Sequence, residues 1–212
     1  MSDVSKTAPT MNKQIVRALI LVGVLGGCSF FSATSGQKGG STMVLVHLLA
    51  FSSWFGCSVW VTFIAGIVMF KTLPRHVFGR LQSKLFPAYF QFSVVALFVA
   101  IATKSAVVAI ARPTPLITIL ACSLLNLLYF EPTTTKVMYQ RHAVEKRLGT
   151  GHEIGKLKPD DPTKANDPEL KALSKTFGMI HGISSLLNLA ALGFGCVWLN
   201  KCANQMAMGG GL

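Results

Sequence analysis

At 212 residues the chain is long enough for one soluble domain, but its composition excludes one: 51% of residues are hydrophobic and only 13% are charged. That is about half the charged share of a soluble domain, too little to build a solvated shell. A net charge of +12 raises nucleic-acid binding as a function class, and its distribution removes it. The cations lie in short clusters beside apolar spans, the pattern that orients helices in a bilayer, without a basic stripe on a folded face. Between Asp3 and Glu131 there is no acidic residue. The cysteines (Cys28, Cys57, Cys122, Cys196 and Cys202) are odd in number and form no CxxC. They read as small buried hydrophobes rather than a disulfide framework or a metal set.

At the N-terminus Lys13 and Arg17 precede a short apolar run, residues 18–31, followed by small residues. This is the layout of a signal sequence; a retained signal anchor and an acid-poor transit peptide share it. Residues 1–42 are therefore expected to be an N-terminal extension carrying an additional hydrophobic segment. Four longer stretches follow, at 44–70, 84–104, 112–131 and 175–201. Each approaches or exceeds the roughly 20 residues that a helix needs to cross the hydrocarbon core. The predicted fold is all-α: a polytopic membrane four-helix bundle over residues 43–200, with a short tail at 201–212.

Charge sets the orientation. Loops 71–85 and 131–175 hold thirteen lysines and arginines, against four (Lys38, Lys104, Arg112 and Lys201) at the other end. The excess places both loops in the cytoplasm. In the first loop Pro74 suits a first helical position, and Val77, Phe78, Leu81 and Leu85 recur at helical spacing with Arg80 and Lys84 on another face. This predicts a short amphipathic surface helix ended by Pro87. Lys71, Arg75, Arg80 and Lys84 are then candidate contacts for anionic lipid.

The second loop starts helically over 136–148, where Arg141 and Glu145 can pair at i, i+4. Glycines and prolines from Gly149 to Pro162 mark an exposed linker. Asp167-Pro168-Glu169 then opens a helix that runs into the last span.

Polar side chains inside apolar spans are costly and therefore informative. His181, Ser184, Ser185 and Asn188 stand at i, i+3, i+4 and i+7 and predict one polar stripe. His47, Trp54, Ser58 and Thr62 have compatible spacing in the first span, the third offers Asn126, and Glu131 follows directly before Pro132. Pro132 removes a backbone donor and is expected to kink or end the helix. Read functionally, the stripe lines a polar cavity or proton path, with His181 titrating and Glu131 as its acidic partner. Read structurally, it is interhelical glue, assisted by small-residue pairs such as Ser52 with Gly56 and Ala191 with Gly195. The structural reading is preferred. His76, His142 and His152 show no ligand spacing, so a metal centre would require convergence from distant segments, and none is expected. No cofactor loop or catalytic set is present in the pattern.

Several motifs carry a family resemblance. They are Ser53-Trp54, Trp60-Val61-Thr62-Phe63, Leu73-Pro74-Arg75-His76, Phe78-Gly79 and Gln82-Ser83-Lys84-Leu85-Phe86-Pro87 with Tyr89-Phe90. Glu131-Pro132-Thr133-Thr134 and His181-Gly182-Ile183-Ser184-Ser185-Leu186 with Asn188-Leu189 complete the set. In this order they resemble the transmembrane protein 205-like family over residues 43–200. The resemblance implies a four-helix membrane domain of the endomembrane system, the endoplasmic reticulum or a related membrane, and no catalytic residues. It also makes export or vesicle traffic a candidate theme.

Three function classes follow: a noncatalytic trafficking or scaffold component, a small oligomeric transporter or channel-like protein using the polar stripe, and a membrane-embedded enzyme using His181. The first is favoured, with the bilayer, anionic lipid and a second copy or another membrane protein as partners, and no nucleic acid. The cation count makes one outcome specific: in sealed vesicles, single cysteines at positions 155 and 205 should be labelled from opposite faces. Labelling of both from one face rules out the orientation.

Overall fold

The computed structural model describes residues 40–108, 112–155, 164 and 166–208. The hydrophobic segment at 18–31 lies outside them. Among the described residues four helices are long and apolar enough to span a membrane: α1 (Gly40–Thr72), α2 (Arg75–Ala106), α3 (Thr114–Arg147) and α4 (Pro168–Met208). They close a ring, α1 on α2, α2 on α3, α3 on α4 and α4 back on α1. The expected all-α polytopic bundle is what the chain forms.

Lipid tails are as apolar as leucine, so these helices gain little by hiding apolar surface from one another and must hold together by close packing and hydrogen bonds. The packing centre joins Phe51 and Trp54 of α1, Phe90, Val94 and Leu97 of α2, Leu116, Ile119 and Leu127 of α3, and Ala191 and Trp198 of α4. Of the two small-residue pairs read from the sequence, Ala191 and Gly195 serve this purpose. Both are buried, and a Cβ at Gly195 would stand 3.0 Å from Trp54 Cζ3 and Phe55 Cδ2. Ser52 and Gly56 do not: both are exposed, with nothing within 4 Å of a Cβ at Gly56.

Neither proline breaks its helix. Pro87 is buried inside α2, which runs on from Arg75, so the expected surface helix is instead the first turns of a spanning helix. One missing donor is tolerable where neighbouring groups and local adjustment satisfy the freed carbonyl. Before Pro132, α3 widens into a π turn over Asn126–Phe130 and resumes α geometry at Glu131. A π turn already displaces the ordinary i→i+4 ladder, so the missing N–H falls where the ladder is being reset. The loop expected at 131–175 is accordingly helical as far as Arg147.

This changes the shape at the cation-rich end. At 1.5 Å per residue α3 is about 51 Å long, against about 30 Å of hydrocarbon. Its apolar part ends near Phe130, so Lys136–Arg147 stands beyond the membrane, beside the first turns of α2 and α4. The start of α4 is capped as its sequence predicts: Asp167 Oδ1 accepts from the Leu170 N–H at 2.9 Å.

Gly195→Val should overpack the α1–α4 contact and cost about 1–3 kcal/mol, read as a lower Tm in detergent. Gly56→Ala, facing open space, should leave Tm unchanged; equal effects at the two sites would refute this packing.

Candidate functional site

The intramembrane polar residues form three stations, each crossing between helices. In the first, the Trp198 indole N–H donates to His47 Nε2 at 3.1 Å. An indole only donates, so the imidazole proton sits on Nδ1, which meets the Ala100 carbonyl at 3.0 Å. Thr103 Oγ1 lies 3.3 Å from the same nitrogen. His47 is thus a neutral imidazole with each nitrogen engaged, joining α1, α2 and α4.

In the second, the Tyr89 hydroxyl lies 2.8 Å from Asn188 Oδ1 and 2.9 Å from Ser58 Oγ. Asn188 Nδ2 donates onward to Thr62 Oγ1 at 2.7 Å. In the third, Asn126 and Ser184 pair reciprocally: Ser184 Oγ donates to Asn126 Oδ1 at 2.7 Å, and Asn126 Nδ2 donates to the Ser184 carbonyl at 3.2 Å.

The stripe read on α4 is therefore divided. Ser184 and Asn188 reach other helices, whereas Ser185 Oγ returns to the His181 carbonyl at 2.8 Å. His181 is exposed on the bundle surface and stacks on Phe177, ring centroids 5.5 Å apart, with the Arg141 guanidinium over Phe177 at 4.6 Å. Glu131 is buried and accepts from Thr135 Oγ1 at 3.1 Å, one turn along its own helix. Tyr89, Thr103 and Trp198 complete these stations; Tyr89 entered the sequence reading only as part of a family motif, and none of the three was read as a polar contact. Helical periodicity groups residues on one face of one helix, and the neighbours of these three on their faces are largely apolar.

A second cluster lies beyond the membrane, where α2 begins and α3 ends. The loop after α3 folds back on the start of α2: the Arg75 N–H donates to the Glu153 carbonyl at 2.9 Å and the His76 N–H to the Gly151 carbonyl at 3.1 Å. These bonds satisfy two donors that a helix N-terminus otherwise leaves open. They require Gly151, whose φ is +99° and whose Cβ would fall 2.1 Å from His76 Nε2. Gly79 clears the other side, since a Cβ there would stand 2.6 Å from His142 Cε1.

In the space so formed, the fully buried Glu145 carboxylate is shared. Oε1 pairs with the Arg75 guanidinium and lies 3.3 Å from Arg141 Nε, the i, i+4 pair expected from sequence. Oε2 lies 2.8 Å from His76 Nε2. The His142 ring packs 4.3 Å from that of His76, and its Nε2 is buried with no hydrogen-bond partner.

This geometry corrects the lipid-contact set. Arg75 is turned inward onto Glu145, and only Lys71, Arg80 and Lys84 are exposed. The geometry also brings together His76 and His142, which have no ligand spacing in sequence. One ligand atom each from His76, His142 and Glu145 falls within 4.8 Å of the others.

Burial alone would raise the Glu145 pKa, but Arg75, Arg141 and His76 outweigh it and hold the carboxyl below its ordinary value. His142 is pushed down from 6.5 to about 4, first by burial and then by His76, with Glu145 opposing.

Transmembrane protein 205 of Danio rerio is 34% identical to this chain over 183 residues, covering 79% of the chain and 94% of the relative. The chain belongs to the transmembrane protein 205 family. Residues 49–143 also match a family model described as a domain of unknown function, DUF4149. That match runs from the third turn of α1 through α2 to Ala143 in α3, so it takes in Arg75, His76, Arg141 and His142, and Tyr89 and Asn126 of the intramembrane stations, but not His47 or Glu145. No solved structure matches the chain. The family name states a location in a membrane and no activity.

The depressed His142 pKa has a thermodynamic consequence. Below pH 6.5 the unfolded chain takes up a proton that the folded imidazole refuses, so folding stability falls as pH drops from 6.5 towards about 4. Glu145, held below its ordinary value, adds a slope of the same sign towards the acid end, and a His142 variant shares that contribution. In metal-free buffer the Tm of the wild type should decline over this range more steeply than that of His142→Gln; parallel profiles would show that His142 titrates normally.

Proposed function

We propose that this member of the transmembrane protein 205 family is a noncatalytic component of an endomembrane, acting as a scaffold in membrane traffic with its cation-rich end in the cytoplasm. The observation that supports this reading is how the intramembrane polar groups are used. His47, Tyr89, Asn126, Ser184 and Asn188 bond to partners on other helices, and their contacts tie the four helices to one another. A proton or solute path needs groups free to exchange partners, and these five are engaged; elsewhere in the spanning helices, outside the Glu145 cluster, Trp54 Nε1, Gln82 Oε1 and Thr134 Oγ1 are buried without a hydrogen-bond partner. The helical extension beyond the membrane supplies a rigid surface, with Lys71, Arg80 and Lys84 exposed for anionic headgroups.

Two substitutions test this. Asn188→Leu removes bonds from α4 to α1 and α2 and should lower stability by about 0.6–2 kcal/mol, read as Tm in detergent. His181→Gln should keep both stability and the ability to restore a chain-deficient cell, because His181 lies outside the interhelical stations. A folded, stable His181→Gln protein that fails to restore the cell would overturn the scaffold reading and make His181 the functional centre, since glutamine cannot titrate near neutral pH.

A further inference from the structure

We propose that His76, His142 and Glu145 form a binding site for a divalent first-row transition ion of the zinc class, at the end of the bundle beyond the membrane. The site is independent of the scaffold reading and of the intramembrane stations.

The first support is convergence. One ligand atom from each residue lies within 4.8 Å of the others, and they come from two helices, His76 at the start of α2 and His142 with Glu145 at the end of α3. Bonds of about 2.0–2.2 Å to nitrogen and oxygen in a tetrahedral arrangement place ligand atoms about 3.3 Å apart. The His76–Glu145 pair, at 2.8 Å, must open slightly and the widest pair must close by side-chain rotation. Neutral imidazole and a single carboxylate oxygen are the donor set suited to zinc, cobalt or nickel rather than calcium or magnesium.

The second support is the division of the carboxylate. Arg75 hydrogen-bonds Oε1 and Arg141 pairs with it by charge alone, which leaves Oε2 turned towards His76. Ligating carboxylates are oriented in this way by outer hydrogen bonds. The third is the orphaned nitrogen. His142 is 9% exposed, yet its Nε2 has no hydrogen-bond partner. A buried polar atom without a partner costs free energy, and a coordinated ion removes that cost. The fourth is room: Gly79 and Gly151 bear no Cβ at the two places where one would strike the imidazole rings.

The ion takes the place of the hydrogen between His76 Nε2 and Glu145 Oε2, and the ring coordinates as the neutral tautomer with its proton on Nδ1. Three protein ligands leave one position open. The two guanidiniums already balance Glu145, which favours an anion there, hydroxide or chloride, over neutral water. His152, whose ring lies 6.0 Å from that of His76, is exposed and outside the ligand set.

The full chain, purified in detergent and stripped with a chelator, is titrated with cobalt(II) followed by visible absorption, and then displaced with zinc(II). The expected result is saturable binding of one ion per chain with the spectrum of nitrogen and oxygen coordination, and a higher Tm with zinc. His142→Gln and His76→Gln should each weaken binding by at least about tenfold, the scale seen even for losses in the outer shell of a metal site. His152→Gln should bind as the wild type does. If His142→Gln fails to fold, His142→Cys is the second variant: it returns a ligand and should keep binding, with the added absorption of cobalt–thiolate. No saturable binding by the wild type, wild-type affinity in folded His142→Gln, or loss in His152→Gln alone would overturn the site.

Discussion

Inside a bilayer a polar side chain has no water to fall back on, and the bundle is arranged around that constraint. The neutral imidazole of His47 is held from three helices: its own α1, the Ala100 carbonyl of α2 and the Trp198 indole of α4. Asn188 links α4 to α2 through Tyr89 and to α1 through Thr62. Asn126 and Ser184 lock α3 to α4 with two reciprocal bonds. Each pair is worth little alone. Together they fix which faces of four apolar helices meet, something that apolar surface in an apolar solvent does not decide.

The π turns belong to the same arrangement. One spans Val61–Ala65 and contains Thr62; the other spans Asn126–Phe130 and begins with Asn126. These are the residues that meet Asn188 and Ser184, four positions apart on α4. Each π turn thus carries one polar contact to α4 and leaves its helix unbroken. In α3 the same turn also accommodates Pro132.

Beyond the membrane the organising group changes from amide to carboxylate. Glu145 is fully buried and draws Arg75, His76 and Arg141 around it. Removing one partner from such a cluster leaves a buried charge uncompensated, which is far more costly than the net worth of the pair. The cluster therefore ties the start of α2 to the end of α3 and holds the returning loop at Gly151. It gives the end of the bundle that faces the thirteen-cation loops a defined structure rather than a mobile connection.

Composition and hydropathy alone determined the solvent and the order of the four spanning helices among the described residues, because a long apolar run with few charges has one stable environment. Local chemistry also determined the α4 start at Asp167, the Arg141–Glu145 pair and the close approach at Gly195. Periodicity places residues on one side of one helix but does not say which of them meet a neighbouring helix. It grouped His181 and Ser185 with Ser184 and Asn188 on α4, and it could not foresee that Asn126 and Thr62 would meet the latter two. Proline rules misplaced two boundaries, because neighbouring helices compensate for a lost donor. Apart from its Arg141–Glu145 pair, the Glu145 cluster was not legible in the sequence. Its members lie about 70 positions apart, as in Arg75 and Glu145, and only the antiparallel packing of α2 and α3, with the turn at Gly151 between them, brings two histidines and a carboxylate within reach of one atom.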